Sequence, residues 1–526
     1  MRNFLLCIML LGVGVPIKGQ SAYLVYLTDK DSLQACPEDI LSPEALARRQ
    51  RQQLPKWTYT DWPVKDTYVE QIAATGAQVR HTLRWPNAIS LIADAAQLEV
   101  ISCLPFVKDI QPLTATVQPA SHADTPDDGR LDTLLNLIGR QLHLEGWEQS
   151  SYRGKGVRMA LFDTGFKEAH THPALTKMVH RGGIIATKDF YQGDDKVFHH
   201  DRHGMEVLSC VAGEYKGRPL GYAPEADFLL ARVEHARKEL AVEEDHWMAA
   251  AEWADQMGAD IILSALTYTD KRYSYAQMDG QTVLVSKAAK MATQKGILVV
   301  NSIGNEGARP WRFVAAPADV PEVLTVGATF PMIRMRQPYS SFGPNAAGAL
   351  KPDVCAPGFV VSAWKKGGFD ENAGTSFSAP LIAGLAACLL QRDSSLTPAD
   401  LHAYLCQSAH LYPYYDYALG YGVPDVRELL LPPSPPSVDP YHFVVQLAPD
   451  SVLVQLDSAL IADTAHTPYG RVLHYHLADP KTGQLKAYHA ENLPNGTRQY
   501  VIQRHPEAKG LLRIWLDKHL YIKELP

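Results

Sequence analysis

Asn372-Ala-Gly-Thr-Ser-Phe-Ser-Ala-Pro-Leu-Ile-Ala-Gly384 runs from a turn of small residues, Gly374-Thr375-Ser376, straight into an apolar segment. The spacing predicts a helix over 379–390, with Leu381, Ile382, Leu385, Ala386, Cys388, Leu389 and Leu390 covering every side. A helix with no polar face belongs in the middle of a large core. Pro380 suits a first turn, where its missing N–H has no intrahelical partner. Ser376 is therefore expected at or just before the N-terminus of a buried helix. Free N–H groups and the positive end of the helix dipole favour developing negative charge there. That suits a nucleophile attacking a carbonyl. Taken alone, a Gly-Thr-Ser run is more often a simple helix cap.

Upstream of this stretch, apolar strands alternate with helices. Val157–Phe162, Ala226–Val233, Asp260–Ser264, Ile297–Asn301 and Val323–Val326 read as strands; Trp247–Met257 and Thr282–Gln294 read as helices. Such alternation predicts an α/β unit over 132–430, a mostly parallel sheet with helices on both faces. Active groups in such folds lie at the carboxyl ends of strands, where Asp163 and the 301–305 turn fall. Before it, a small α+β unit is expected at about 22–113. Its strands are Tyr23–Thr28, Ala88–Ala93 and Val107–Ile110, and Pro43–Arg51 reads as a charged surface helix capped by Ser42. A polar linker follows at 116–131. A Pro-rich linker at 431–439 precedes short strand patterns over 440–526, which predict a small β-sandwich.

The 526 residues carry a net charge of −7, with 46% apolar and 20% charged residues. This describes a multi-domain globular chain without a basic nucleic-acid footprint. Residues 1–20 have a basic start and a short apolar run, and read as a secretory signal peptide. Of the seven cysteines, Cys7 lies in that run. The others form neither a metal motif nor a disulfide framework, although a Cys36–Cys103 bridge would suit an exported protein.

Acyl transfer by serine needs a base, a group to orient the base, and donors for the oxyanion. Asp201-Arg-His203-Gly204 opens a helical pattern and offers an imidazole. Asp163 ends a buried strand, where an unpaired charge would be costly. Gly304-Asn305-Glu306-Gly307 places an amide in a glycine-bracketed turn. Each also has a plainer reading: a strand-end turn for Asp163, a solvated loop or a metal site with His199 and His200 for His203, a turn former for Asn305. The paired His170 and His172 read as a solvated polar loop rather than metal ligands. An α/β-hydrolase esterase is disfavoured, because Ser378 stands where Gly-x-Ser-x-Gly needs glycine and His203 precedes Ser376.

Four motifs together resemble the subtilisin-like serine peptidases over about 135–430: Leu161-Phe-Asp163-Thr-Gly165, His203-Gly204 followed by Val-Ala-Gly213, Gly304-Asn305-Glu306-Gly307, and Gly374-Thr-Ser376-x-Ser-Ala-Pro380. Framework segments Ser340–Pro344, Lys351–Gly358 and Gly420–Gly422 are also similar. The resemblance implies a secreted serine endopeptidase, with Ser376 as nucleophile, His203 as general base, Asp163 orienting it, and Asn305 in the oxyanion hole. Ser264, Ala265, Leu266, Thr267, Ile303 and Gly304 would border the substrate. Thr267 and Ile303 replace the usual Gly and Ala, which implies an unusual pocket; Met205 replaces the usual Thr after His203-Gly204.

The resemblance further implies that 21–115 is an inhibitory propeptide, so that polypeptide substrates and the chain's own propeptide are the expected partners. No cofactor or catalytic metal is implied. Structural calcium is common in the family, but no acidic cluster specifies a site. The layout resembles exported subtilases of Gram-negative bacteria, with passage through the periplasm to a secreted or cell-surface location. In some of those the last β-domain engages export machinery. Asn495-Gly-Thr497 matches a glycosylation sequon.

Overall fold

Seven strands form one all-parallel sheet, in the order Val354–Pro357, Leu324–Thr329, Leu298–Ser302, Ile261–Ser264, Arg158–Asp163, Asp227–Arg232 and Ile184–Asp189. The computed structural model describes residues 21–30, 36–113, 128–235, 243–269, 273–431, 443–458, 461, 470–503 and 509–525. The expected signal peptide, most of the 116–131 linker and nearly all of the 431–439 linker lie outside them.

The central strands are apolar throughout because helices cover both faces. Met159 and Leu161 pack on one side, with the helices His203–Ala212 and Thr375–Arg392. Ala160 and Phe162, one residue out of phase, pack on the other, with the helices Glu243–Gln256 and Leu284–Gln294. Side chains that alternate along a strand thus feed two separate cores.

The serine helix starts earlier than its apolar pattern predicts. Thr375 is its first residue, and everything from Thr375 to Leu390 is buried. Pro380 consequently lies inside the helix rather than in its first turn, and it removes the N–H that would bond the Ser376 carbonyl. The apolar pattern gave no sign of Thr375–Ser378 because three of its four residues, Thr375, Ser376 and Ser378, are small and polar.

The first unit is a four-stranded antiparallel sheet in the order Gln78–Leu83, Ala88–Ala93, Ser21–Leu27, Val107–Leu113. One face carries its own core, including Val25, Ile72, Leu91, Ile101 and Phe106, under the helices Asp66–Ala74 and Ala95–Ser102. The other sends Leu24, Leu83, Trp85 and Ala88 into the core of the large unit beside Trp247 and Ala251.

Pro43–Arg51 is a helix capped by Ser42, but it is not a surface helix: Arg48 and Arg49 are fully buried. They are buried because their partners lie across the contact. Asp255 pairs with both, and Asp61 pairs with Arg49 and with Lys295 of the large unit. Nearby, Arg80 pairs with Asp245, while the backbone N–H groups of Arg84 and Trp85 donate to Glu252. Basic residues of the first unit thus meet acidic residues of the helix Glu243–Gln256.

The helix Asp128–Leu142 begins inside the span read as linker. Beyond 442, a three-stranded sheet (Phe443–Leu447, Ser451–Leu456, Gln499–Gln503) packs on a four-stranded one (Leu485–Leu493, Arg471–Ala478, Gly510–Leu516, His519–Leu525), sharing a core that includes Val454, Ile502, Leu473 and Ile514. This sandwich is seated on the large unit. Trp515 enters the large unit's core, Tyr415 Oη donates to the Gly483 carbonyl at 2.9 Å, and the Tyr415 carbonyl lies 2.8 Å from His476 Nδ1.

Candidate active site

Asp163, His203, Asn305 and Ser376 arrive from four elements at the carboxyl edge of the sheet. Asp163 is the last residue of its strand and His203 the first of its helix. Two glycines lock these segments together. Gly204 donates its N–H to the Gly165 carbonyl at 2.9 Å, and a Cβ at Gly204 would meet that oxygen at 2.5 Å. At Gly165, with φ +153°, a Cβ would meet the Asp201 nitrogen at 2.7 Å. No side chain fits at either crossing.

The Asp163 carboxylate faces His203 Nδ1 at 2.9 and 3.0 Å, and its Oδ1 also accepts the Thr164 N–H at 2.7 Å. A carboxylate can only accept, so Nδ1 carries the proton and Nε2 is left as the basic nitrogen. The Asp163 side chain is 1% exposed, whereas the imidazole is 23% exposed and reaches the cleft. Burial alone would lower the imidazole's proton affinity. Asp163 outweighs it, and the His203 pKa rises to about 9. The ring lies beside Phe377, with centroids 5.9 Å apart.

Ser376 is the second residue of its helix. Its hydroxyl donates to the Ala265 carbonyl at 3.1 Å. A hydroxyl has one proton, so engaging His203 requires Oγ to leave Ala265. Asn305 caps the same helix. Its Oδ1 accepts the Thr375 N–H at 2.9 Å and Thr375 Oγ1 at 3.0 Å. A backbone N–H can only donate, so the capping atom is the amide oxygen and the NH₂ must point the other way. A Cβ at Gly374 would lie 3.7 Å from that nitrogen, so this glycine leaves open space before it. From behind, Ser341 Oγ accepts the Glu306 N–H at 3.0 Å, and Gly304, at φ +108°, makes the turn that L side chains rarely adopt.

The segments read as a substrate border lie close by, but their side chains diverge. Ala265 and Leu266 are buried at the end of the strand, and Thr267 is half-buried. Ser264 is fully buried and accepts the Trp247 indole N–H at 3.1 Å, so its side chain belongs to the core. Ile303 is also fully buried, in a small cluster with Val314 and Ala318, and leaves only backbone at the edge. Asn301, which the sequence reading passed over, holds the two edges together by donating to the Leu266 and Ser302 carbonyls at 3.0 and 2.9 Å. An Asn closing an otherwise apolar strand was the available signal.

Of the other histidines singled out, His170 and His199 are exposed, whereas His172 is buried rather than solvated as expected. His172 Nε2 meets the Trp364 and Gly368 carbonyls, and His200 faces Asp189. Among the described residues, one group has metal-ligand spacing: His81, Asp245 and His246, at the contact with the first unit. The Arg80 guanidinium already sits between Asp245 and His246 Nε2.

Comparison with known proteins bears on the family and the fold. Residues 154–422 match the model described as the subtilase family, and residues 22–127 match the peptidase S8 propeptide domain, Bacteroidota. An alkaline serine exoprotease A from Vibrio alginolyticus is 27% identical over 56% of this chain and 49% of its own length. Serine protease AprX from Bacillus subtilis is 27% identical over 47% of this chain and 60% of its own. This chain therefore spans about half to three fifths of those two relatives. A solved epidermin leader peptide processing serine protease from Staphylococcus aureus covers 78% of this chain at 16% identity and a TM-score of 0.56, a likeness of fold.

Proposed function

The chain belongs to the subtilase family, and from that membership we propose that it is an exported serine endopeptidase made as a zymogen. The observation that carries this reading is the convergence at one sheet edge of an Asp163-oriented imidazole, a serine at a helix N-terminus and an amide aimed away from its cap. Ser376 Oγ leaves Ala265, gives its proton to His203 Nε2 and attacks the peptide carbonyl. The imidazolium that forms is stabilised by Asp163. The carbonyl oxygen takes up negative charge beside Asn305 Nδ2 and the Ser376 N–H. His203 then passes its proton to the leaving amine, and water, activated by the same base, releases the acyl group. The sequence calls for no cofactor in this scheme.

The first unit, 21–115, acts as the chain's own inhibitor, seated through the buried ion pairs on the helix Glu243–Gln256 and cut away in the 116–131 linker. The large unit, 132–430, does the chemistry on polypeptide substrates, with the segments 264–267 and 303–304 forming the pocket edges. Because Ile303 is withdrawn into the core, Thr267 is the residue that narrows the pocket. Export through a signal peptide at 1–20 brings the protein to the cell exterior, and the C-terminal sandwich is the part available to export machinery.

A fluorophosphonate probe applied to secreted, matured protein beside Ser376→Ala tests this. Labelling that vanishes in the variant is the expected result. No labelling of folded protein freed of its first unit would overturn the reading and leave a subtilase used for binding alone.

A further inference from the structure

Glu206 stands one helical turn beyond His203, in the first turn of the same helix, and is 1% exposed. Its Oε1 is buried without a hydrogen-bond partner. A buried carboxyl oxygen left unpaired costs stability, so its retention beside a reactive base asks for a function. The groups around it are few. Asp163 faces it from the neighbouring strand, Asp201 and Arg202 from the loop before the helix, and His203 and Cys210 from the helix itself. Thr164 Oγ1 lies 3.1 Å from Asp163 Oδ1 and 3.0 Å from Asp201 Oδ2, and its single proton serves one of those two carboxylates at a time. The packed strand Phe359–Ala363 brings no ionisable side chain. On the serine helix, Cys388 and Arg392 are bonded to the carbonyls of Tyr222 and Leu429.

We propose that Glu206 is a positioning residue of the proposed catalytic unit, a second buried carboxyl that acts through His203 by setting the pH at which its imidazole becomes a free base. The proposal rests on the peptidase reading given above. Burial raises the Glu206 carboxyl to about 7, with His203 opposing and Asp201 adding to the rise. Glu206 therefore loses its proton before the imidazolium does. Once ionised, it strengthens the hold that Asp163 already exerts on the His203 proton, and the general base is released only at more alkaline pH. Neutral replacement removes that hold and lets the base form in more acid solution.

The test compares the parent with Glu206→Gln and Glu206→Met, both neutral at this position, the second needing no hydrogen-bond partner if the first folds poorly. In the full Ser376→Ala chain, the low-field Nδ1–H resonance of His203 is titrated by NMR. Its midpoint is expected to fall by about one pH unit in each folded variant. In the active chain, the acid limb of kcat/KM for peptide hydrolysis is expected to move the same way. An unmoved NMR midpoint in a folded variant overturns the proposal. The NMR arm needs no turnover, so it decides on Glu206 even if the chain hydrolyses nothing, a result that would instead sink the peptidase reading.

Discussion

Where the first unit meets the helix Glu243–Gln256, Asp255 is held by both Arg48 and Arg49, and Asp61 by Arg49 and Lys295. At the candidate active site, charge is buried just as deeply but left under-partnered. Asp163 is held by Thr164 and has one imidazole as its ion-pair partner among the described residues, Glu206 Oε1 has no hydrogen bond, and no hydrogen bond among the described residues uses Asn305 Nδ2. A network whose carboxylate oxygens are all paired fixes two surfaces in register, because removing either partner strands a buried charge, even with Arg49 Nε left open. An unsaturated one can still change its protonation or accept a new ligand. Both regions bury charge, and the difference lies in which carboxylate oxygens and amide donors remain open.

The sharpest break between the two is Ser376→Ala. Peptide hydrolysis should fall by about six orders of magnitude in kcat, while the urea midpoint of the full chain barely moves. Asp255→Ala should do the reverse. Stranding Arg48, and taking from Arg49 one of its two carboxylates, should cost about 3–5 kcal/mol, read as a lower urea midpoint in the Ser376→Ala background, and leave the kcat of matured enzyme unchanged. Asn305→Ala tests the open donor and should lower kcat by about two to three orders of magnitude. Because Asn305 also caps the serine helix, about 1 kcal/mol of stability should go with it, measured by thermal unfolding.

The smallest effect concerns pH. Burial pushes the pKa of His81, at the docking face, down to about 4, whereas an unfolded histidine titrates near 6.5. Between those values only the unfolded chain takes the proton. Stability is therefore fully present above about 6.5 and is lost as pH falls towards 4, by up to about 1.4 kcal/mol per pH unit. Burial would raise the Asp61 carboxyl, but Arg49 and Lys295 more than offset this and hold it far below the usual range, so its loss adds only below about pH 4. His246, His410, His474 and His476 are depressed by burial as well, so His81→Gln should make the fall of the urea midpoint between about pH 6.5 and 4 shallower without abolishing it, and leave catalysis untouched.

What could be read from the sequence follows the same division. Asp163, His203, Asn305 and Ser376 stood out because each sits beside glycines that the backbone crossings demand, as Gly165 and Gly204 illustrate. The central strands stood out because burial on both faces leaves them continuously apolar. The docking face did not. Arg48 and Asp255 lie far apart in the chain, and nothing local in Ala-Arg-Arg-Gln tells a buried arginine from a solvated one. The strand Leu485–Leu493 carries no strand pattern of its own, because Lys486, His489, Glu491 and Asn492 break its alternation. Glu206 was passed over for a related reason, since a glutamate in a helix's first turn ordinarily faces water.

Asn305 spends its two ends on different tasks, the oxygen on Thr375 and the nitrogen on the cleft. Deamidation to aspartate would exchange only the second of these. A carboxylate oxygen still caps the helix, so an aged molecule would keep its fold and pass quality control by size, charge-insensitive spectroscopy or antibody. On the proposed mechanism it would nonetheless present an anion where the oxyanion has to form. Time in storage would thus show itself as lost turnover in a protein that otherwise looks new.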